Sequence, residues 1–179
     1  LVGINQHIGS LFMDGKPYVE GVKAILNIAK QFDDLEFVDL GGGFGIPYEK
    51  LNDQPRLDMV ELGKQLDEVF EQFVKDYGKE ITFKIEPGRY VSAECGVLLG
   101  TVTAVKHNGE DKYIGTDIGF NVLQRPVMYD SHHDIEVYND SDNTEDVTVV
   151  GNICESGDIL AKHRICPEMH VGDTMAMLD

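Results

Sequence analysis

The chain has 179 residues, 42% of them hydrophobic, and its 15 Lys and Arg residues against 32 Asp and Glu residues give a net charge of −17. This acidic balance argues against nucleic acid and against an anionic membrane surface as partners. No apolar run approaches the length of about 18 residues that a membrane-spanning helix needs. Three cysteines are too few for a disulfide scaffold, so we expect a cytoplasmic protein.

The first half of the chain alternates predicted strands with predicted helices. Short apolar runs predict strands at residues 2–8, 35–40 and 81–85. Apolar residues at helical spacing predict amphipathic helices over residues 18–32 and 59–77. This order of elements requires a parallel sheet with right-handed crossovers.

A polar or glycine-rich turn follows each predicted strand. The three turns are His7-Ile8-Gly9-Ser10, Gly41-Gly42-Gly43-Phe44-Gly45 and Glu86-Pro87-Gly88-Arg89. Because the carboxyl ends of parallel strands share one edge of a sheet, we expect these turns to converge. The glycine run has neither the spacing of a dinucleotide fold nor the lysine of a P-loop. Its backbone amides still suit a phosphate, so the residues alone predict a site for some phosphorylated ligand.

From about residue 93 the pattern becomes rich in strands. We predict strands at residues 96–106, 112–117, 135–138, 147–150 and 174–178. The first two are joined through Asn108-Gly109, a strong hairpin signal. Residues 139–146 are polar and predict an exposed loop. We therefore predict an α/β segment over residues 1–92, followed by a mostly antiparallel β domain over residues 93–179.

The number and spacing of the histidines and cysteines outside these turns do not indicate a metal site. His163, Cys166 and His170 have near-metal spacing, but they are only three and Pro167 interrupts them. His132 and His133 are interpreted as surface or hinge histidines. Cys95 and Cys166 are interpreted as small buried side chains of the fold.

Five sequence blocks resemble one known family. They are His7-Ile8-Gly9-Ser10, Asp39 to Gly45, Glu86 to Tyr90, Arg125-Pro126-Val127-Met128-Tyr129 and Cys154-Glu155-Ser156-Gly157-Asp158. In this order they resemble the diaminopimelate decarboxylases, pyridoxal-phosphate enzymes of the alanine racemase-like fold. The resemblance covers essentially the whole chain. It implies that residues 1–92 are the last strands of a cofactor-binding (β/α)8 barrel and that residues 93–179 are part of a β-rich C-terminal domain.

The resemblance implies pyridoxal 5'-phosphate as the cofactor. Glu86 resembles the carboxylate that keeps the pyridine nitrogen protonated, and His7 resembles the catalytic imidazole that stacks on the ring. The implied phosphate cradle consists of the Ser10 hydroxyl with the backbone amides of Gly43, Gly88 and Arg89.

The implied substrate is meso-2,6-diaminopimelate, which loses carbon dioxide from one end and becomes L-lysine. The residues that resemble those holding its other end are Arg89, Arg125, Tyr129 and Glu155. Cys154 resembles the catalytic proton donor. In the family this cysteine block reaches the partner subunit's site, so the resemblance implies a homodimer with shared active sites.

One departure from the family keeps alternatives open. The family's cofactor-binding lysine stands in a Y-A-x-K-A-like context, and none of the 11 lysines here does. We therefore expect an internal fragment of a longer enzyme, inactive by itself. The alternatives are a decarboxylase of the same fold acting on arginine, ornithine or carboxynorspermidine, and a cofactor-free regulatory homologue.

Overall fold

The computed structural model describes residues 1–179 and divides them into two compact units. The first unit contains Leu1–Pro47 and Pro55–Ala93. The second contains Tyr48–Gln54 and Glu94–Asp179. None of the helices is both long enough and apolar enough to cross a membrane.

The first unit is built on a three-stranded parallel sheet in the order β1-β2-β3. Its elements are β1 (Gly3–Asn5), α1 (Lys16–Ala29), β2 (Phe37–Asp39), α2 (Met59–Tyr77), β3 (Thr82–Lys84) and α3 (Gly88–Ser92). The predicted alternation of strands and helices is confirmed. Each strand is shorter than predicted, since the parallel pairing covers only three residues of each.

The core of this unit lies between the helices and the sheet. Helix α1 ends at Ala29, three residues before the predicted end, so Phe32 lies beyond it. The apolar stripe within the helix is buried, with Tyr18, Val22 and Ala29 fully inaccessible, and it packs with Val38 and Leu40. Helix α2 has the bounds that its apolar spacing predicts.

Two residues set the ends of α2. The Asp58 carboxylate caps its first turn by accepting from the Glu61 N–H at 2.9 Å, and Gly78 ends it at a positive φ of 81°.

The second unit is a six-stranded sheet in the order β6-β9-β4-β5-β7-β8. Its elements are β4 (Val97–Asn108), β5 (Asp111–Thr116), α4 (Arg125–Tyr129), β6 (Ile135–Tyr138), β7 (Thr144–Val150), β8 (Ile159–Pro167) and β9 (Thr174–Leu178). Every neighbouring pair is antiparallel except β5 and β7, which are parallel. The predicted mostly antiparallel domain is confirmed.

Three details of this unit differ from the sequence predictions. The β4-β5 hairpin turns at Gly109-Glu110, one residue later than predicted, because Asn108 pairs with Asp111. The predicted loop over 139–146 is shorter, since β7 already begins at Thr144. Strand β8 was not predicted, because a polar run over residues 162–164 hides its apolar pattern.

Candidate active site

The turns after the three parallel strands meet at one edge of the first unit. Backbone hydrogen bonds continue past the strand ends, from Gln6 N–H to the Asp39 carbonyl at 3.0 Å and from Glu86 N–H to the Gly41 carbonyl at 2.9 Å. These bonds place the His7, Gly41–Gly43 and Glu86 turns side by side, as the strand order predicts.

Glycine is required where these turns touch. A Cβ built on Gly42 would overlap the Glu86 carbonyl oxygen, and one on Gly43 would overlap the Gly9 carbonyl oxygen. Gly43 also has a φ of 98°, a conformation that other residues rarely adopt. The Gly43 carbonyl accepts from the Phe12 N–H at 3.1 Å, which brings the Ser10 segment against the glycine turn. The glycine run is therefore required for the close packing of these turns, in addition to any role in binding a ligand.

The His7 ring is exposed and fixed at one nitrogen. Its Nδ1 accepts a hydrogen bond from the Gly42 N–H at 3.3 Å. Because Nδ1 is the acceptor, the neutral ring carries its proton on Nε2. His7 thus presents an oriented aromatic face at the edge where the turns converge.

Glu86, Gly88 and Arg89 follow β3 along this edge. The Glu86 side chain is exposed, and a Cβ built on Gly88 would meet no atom within 4 Å, so the space over that backbone is open. The Gly88 N–H donates to the Glu86 carbonyl at 2.9 Å, and a phosphate would compete with this bond. Arg89 is partly buried in the first turn of α3.

In the second unit, Arg125 begins the short helix α4 and is held by two side chains. Its Nη1 lies 3.1 Å from His133 Nε2, and its Cζ lies 4.7 Å from the centre of the Tyr48 ring. Tyr129 ends the same helix one turn later, with 74% of its surface exposed. Residues four apart share one side of a helix, so Arg125 and Tyr129 face the same way.

Cys154 and Glu155 lie in the turn between β7 and β8. Cys154 is exposed, and Glu155 Oε1 accepts from the Gly157 N–H at 3.3 Å. A Cβ built on Gly157 would lie 3.9 Å from Val127 of α4. The structure thus brings this turn beside the helix that carries Arg125 and Tyr129, next to a cleft of about 800 Å³ between α4 and β8.

Sequence reasoning missed three residues that shape these sites. Asp158 is 3% exposed and accepts from the Phe120 N–H at 2.7 Å and the Ile153 N–H at 2.8 Å, which fixes the turn of Cys154. Its position at the end of the fifth sequence block, Cys154 to Asp158, could have indicated this role. No sequence pattern indicates the role of Tyr48, because it contacts Arg125 from a distant part of the chain.

The third missed residue, His133, corrects a prediction. It is 2% exposed, so it is not the surface or hinge histidine that we predicted. Burial lowers its pKa below the usual value.

The remaining cysteines and histidines divide between core and surface. Cys166 is buried, as predicted, and burial raises the pKa of its thiol to about 11. Cys95 is exposed, so the prediction of a buried side chain is wrong there. His163 and His170 are both exposed, and the His163 ring lies 3.5 Å from an Asp146 oxygen.

The family model "Pyridoxal-dependent decarboxylase, C-terminal sheet domain" matches residues 16–179. The chain is 37% identical over 186 residues to the diaminopimelate decarboxylase of Methanothermobacter thermautotrophicus, covering 99% of this chain and 43% of that protein. It is 40% identical over 185 residues to that of Archaeoglobus fulgidus, with the same two shares. The chain thus spans less than half the length of these relatives.

A solved structure has a similar fold. It is the diaminopimelate decarboxylase of M. jannaschii in complex with L-lysine, which superposes with a TM-score of 0.90 at 32% sequence identity. The superposition covers 99% of this chain and 41% of that one.

Proposed function

Because this chain belongs to the pyridoxal-dependent decarboxylases, we propose that the full-length protein carrying it converts meso-2,6-diaminopimelate to L-lysine and carbon dioxide. One observation carries the proposal. Within each unit, the residues expected to act together lie together: the cofactor residues at one edge of the first unit, and Arg125, Tyr129, Cys154 and Glu155 around α4 in the second. The diaminopimelate decarboxylases among its relatives support the choice of substrate.

The first unit offers groups that fit pyridoxal phosphate. In our proposal the Glu86 carboxylate pairs with the protonated pyridine nitrogen, and the exposed His7 ring stacks on the cofactor. The Ser10 hydroxyl and the amides of the glycine turn and of α3 bind its phosphate. The open space over Gly88 and the exposed side chains of this edge support the fit. When bound, the cofactor supplies a ring that withdraws electrons from the substrate's α-carbon.

The second unit offers groups for the substrate's distal end. We assign the distal carboxylate to Arg125, which can hold it with two parallel N–H bonds, and assist it with Tyr129. Glu155 suits the distal ammonium, and Arg89 of the first unit is a further candidate for the carboxylate. Their partial or full exposure supports access to a ligand.

Cys154 is the proposed proton donor. When the carboxyl group leaves as carbon dioxide, its bonding electrons stay on the α-carbon, and a proton must reach that carbon. The exposed Cys154 thiol supplies this proton in the proposal, whereas the raised pKa of the buried Cys166 thiol does not suit the role.

The organisation of the full-length protein is also a proposal. We assign residues 1–92 to the C-terminal part of a cofactor-binding barrel and residues 93–179 to its β-rich partner domain. We propose a cytoplasmic homodimer in which the turn of Cys154 completes the partner subunit's site.

Turnover of a substrate panel tests the proposed function. We expect the full-length protein with pyridoxal phosphate to release lysine from meso-diaminopimelate. Its kcat/KM should be at least about 100-fold above that for ornithine, arginine or carboxynorspermidine, because none of these has a carboxylate at the position of the distal carboxylate of diaminopimelate. A preference for one of these three would replace the substrate assignment. No turnover of any of them, with no cofactor bound, would favour the regulatory homologue.

A further inference from the structure

Strand β3 brings a lysine close to the carboxylate proposed to pair with the cofactor. Lys84 ends the strand, and Glu86 follows two residues later, where side chains of an extended chain share one face. We propose that Phe37 is a positioning residue, which holds the Lys84 ammonium away from Glu86 and so keeps that carboxylate available for the pyridine nitrogen. This inference rests on the proposed function, because it takes the role of Glu86 from there.

The Phe37 ring is the partner that Lys84 has in the structure. Lys84 Nζ lies 3.7 Å from the centre of this ring, and a cation over an aromatic face is attracted by the electron density of the ring. Lys84 forms no ion pair with Glu86, nor with Asp39, its register partner in β2. Asp39 Oδ1 instead accepts from the Gly41 N–H at 2.9 Å. The ammonium therefore lies on an uncharged partner in spite of two carboxylates near it in the sheet.

The register of the sheet places the ring and the carboxylate on opposite sides of Lys84. Phe37 pairs with Thr82, which comes two residues before Lys84 along β3. Glu86 comes two residues after Lys84. A Lys84 side chain that reaches back to the Phe37 ring is therefore directed away from Glu86.

Strand β1 provides the room that this ring needs. Phe37 is the register partner of Gly3, and a Cβ built on Gly3 would overlap the outer end of the ring. The ring thus lies directly over the Gly3 backbone, where a larger residue would displace it. Phe37 is partly buried and Lys84 is exposed, so a ring fixed by the sheet meets a flexible side chain.

A released Lys84 would interfere with the cofactor in two ways. Its four-carbon stem is long and flexible enough to bring the ammonium to Glu86, where it would compete with the protonated pyridine nitrogen for the carboxylate. A cation at that place would also lower the pKa of the pyridine nitrogen, because like charges disfavour each other. Both effects would weaken the binding of pyridoxal phosphate.

Four variants of the full-length protein separate positioning from structural support, with the dissociation constant of pyridoxal phosphate measured by equilibrium dialysis. Phe37→Leu removes the aromatic face, and we expect it to raise this constant about tenfold, because the ammonium and the carboxylate then attract each other at short distance. Phe37→Tyr keeps the aromatic face and should stay within about threefold of the wild type. Lys84→Met should also stay within about threefold, and so should the double variant Phe37→Leu/Lys84→Met, since neither has the competing ammonium.

Rescue by the second substitution is the decisive result. A loss of affinity in Phe37→Leu that persists in the double variant would show that Phe37 only supports the sheet, and it would overturn the inference. An unchanged dissociation constant in Phe37→Leu would overturn it as well. If Phe37→Leu does not fold, Phe37→Met removes the ring with less change in volume and is held to the same two results. A wild-type protein that binds no pyridoxal phosphate would instead count against the proposed function.

Discussion

His133 shows how one residue takes its charge state from its surroundings. Its ring is 2% exposed, and burial lowers its pKa from the ordinary 6.5, with the Arg125 cation acting in the same direction. The Leu178 carbonyl and the Asp179 carboxylate act the other way, and His132 lowers the pKa further. A protonated His133 would set a cation against the Arg125 cation. The neutral form is thus the one that fits the site.

The lowered pKa of His133 predicts acid sensitivity. As the pH falls through about 6.5, the unfolded chain binds a proton at this histidine and the folded chain does not, so the free energy of unfolding decreases. This contribution to stability is present above that pH and is lost progressively down to the lower folded-state pKa. We expect the stability advantage of the wild type over His133→Asn to shrink by about 1 kcal/mol between pH 7.5 and 5.5 in urea unfolding. A difference that stays constant with pH would contradict this.

The β7-β8 turn is the element that carries the proposed proton donor. Asp158 holds it with both carboxylate oxygens, each accepting from a backbone N–H. A Cβ built on Gly151 would overlap the Asp158 carboxylate, so the carboxylate lies directly against the Gly151 backbone and a larger residue there would displace it. The position of Cys154 and Glu155 therefore depends on Asp158, a hydrogen-bond acceptor that has no role in the proposed reaction.

Asp158→Asn tests this dependence with almost no change in shape. The amide keeps one acceptor and sets its NH2 group against the other backbone N–H, so we expect a loss of about 1–3 kcal/mol in the free energy of unfolding. We also expect turnover to fall, because the turn of Cys154 shifts. Asp142→Asn removes the same charge from an exposed loop and should stay within about 0.5 kcal/mol of the wild type. Identical unfolding of the two variants would show that Asp158 does not hold the turn.

The elements differ in how far the sequence predicts them. Helix α2 has a regular apolar stripe, an Asp58 cap and a terminating Gly78, and its bounds follow from these local signals. Strand β8 and helix α4 have no such signals, since β8 contains a polar run and α4 has only five residues. Both depend on packing with distant parts of the chain, which periodicity does not report.

The candidate site follows the same division. Strand order alone predicts that the turns of His7, Gly43 and Glu86 converge, and the backbone hydrogen bonds confirm this. The contacts of Tyr48 and His133 with Arg125 could not be predicted from sequence patterns. Tyr48 lies far from Arg125 along the chain, and the fold assigns its segment to the second unit. In the sequence alone, His133 is a polar residue beside a predicted strand, and no pattern indicates that its side chain is buried.

At the scale of the whole molecule, the two units carry different parts of the proposed chemistry. The proposed cofactor residues belong to the first unit, and the proton donor and most of the substrate residues belong to the second. The chain spans 43% of its diaminopimelate decarboxylase relatives, and none of its 11 lysines has the context of the family's cofactor-binding lysine. We therefore predict that this lysine belongs to another part of the full-length protein.

Borohydride trapping shows whether the full-length protein binds pyridoxal phosphate through a lysine. The full-length protein is incubated with pyridoxal phosphate, its visible spectrum is recorded before and after reduction, and the modified peptide is identified by mass spectrometry. We predict a visible absorbance band that reduction removes, with the cofactor fixed to a lysine in a Y-A-x-K-A-like context. A protein without this band, and without cofactor attached after reduction, would contradict the assignment to a pyridoxal-phosphate enzyme.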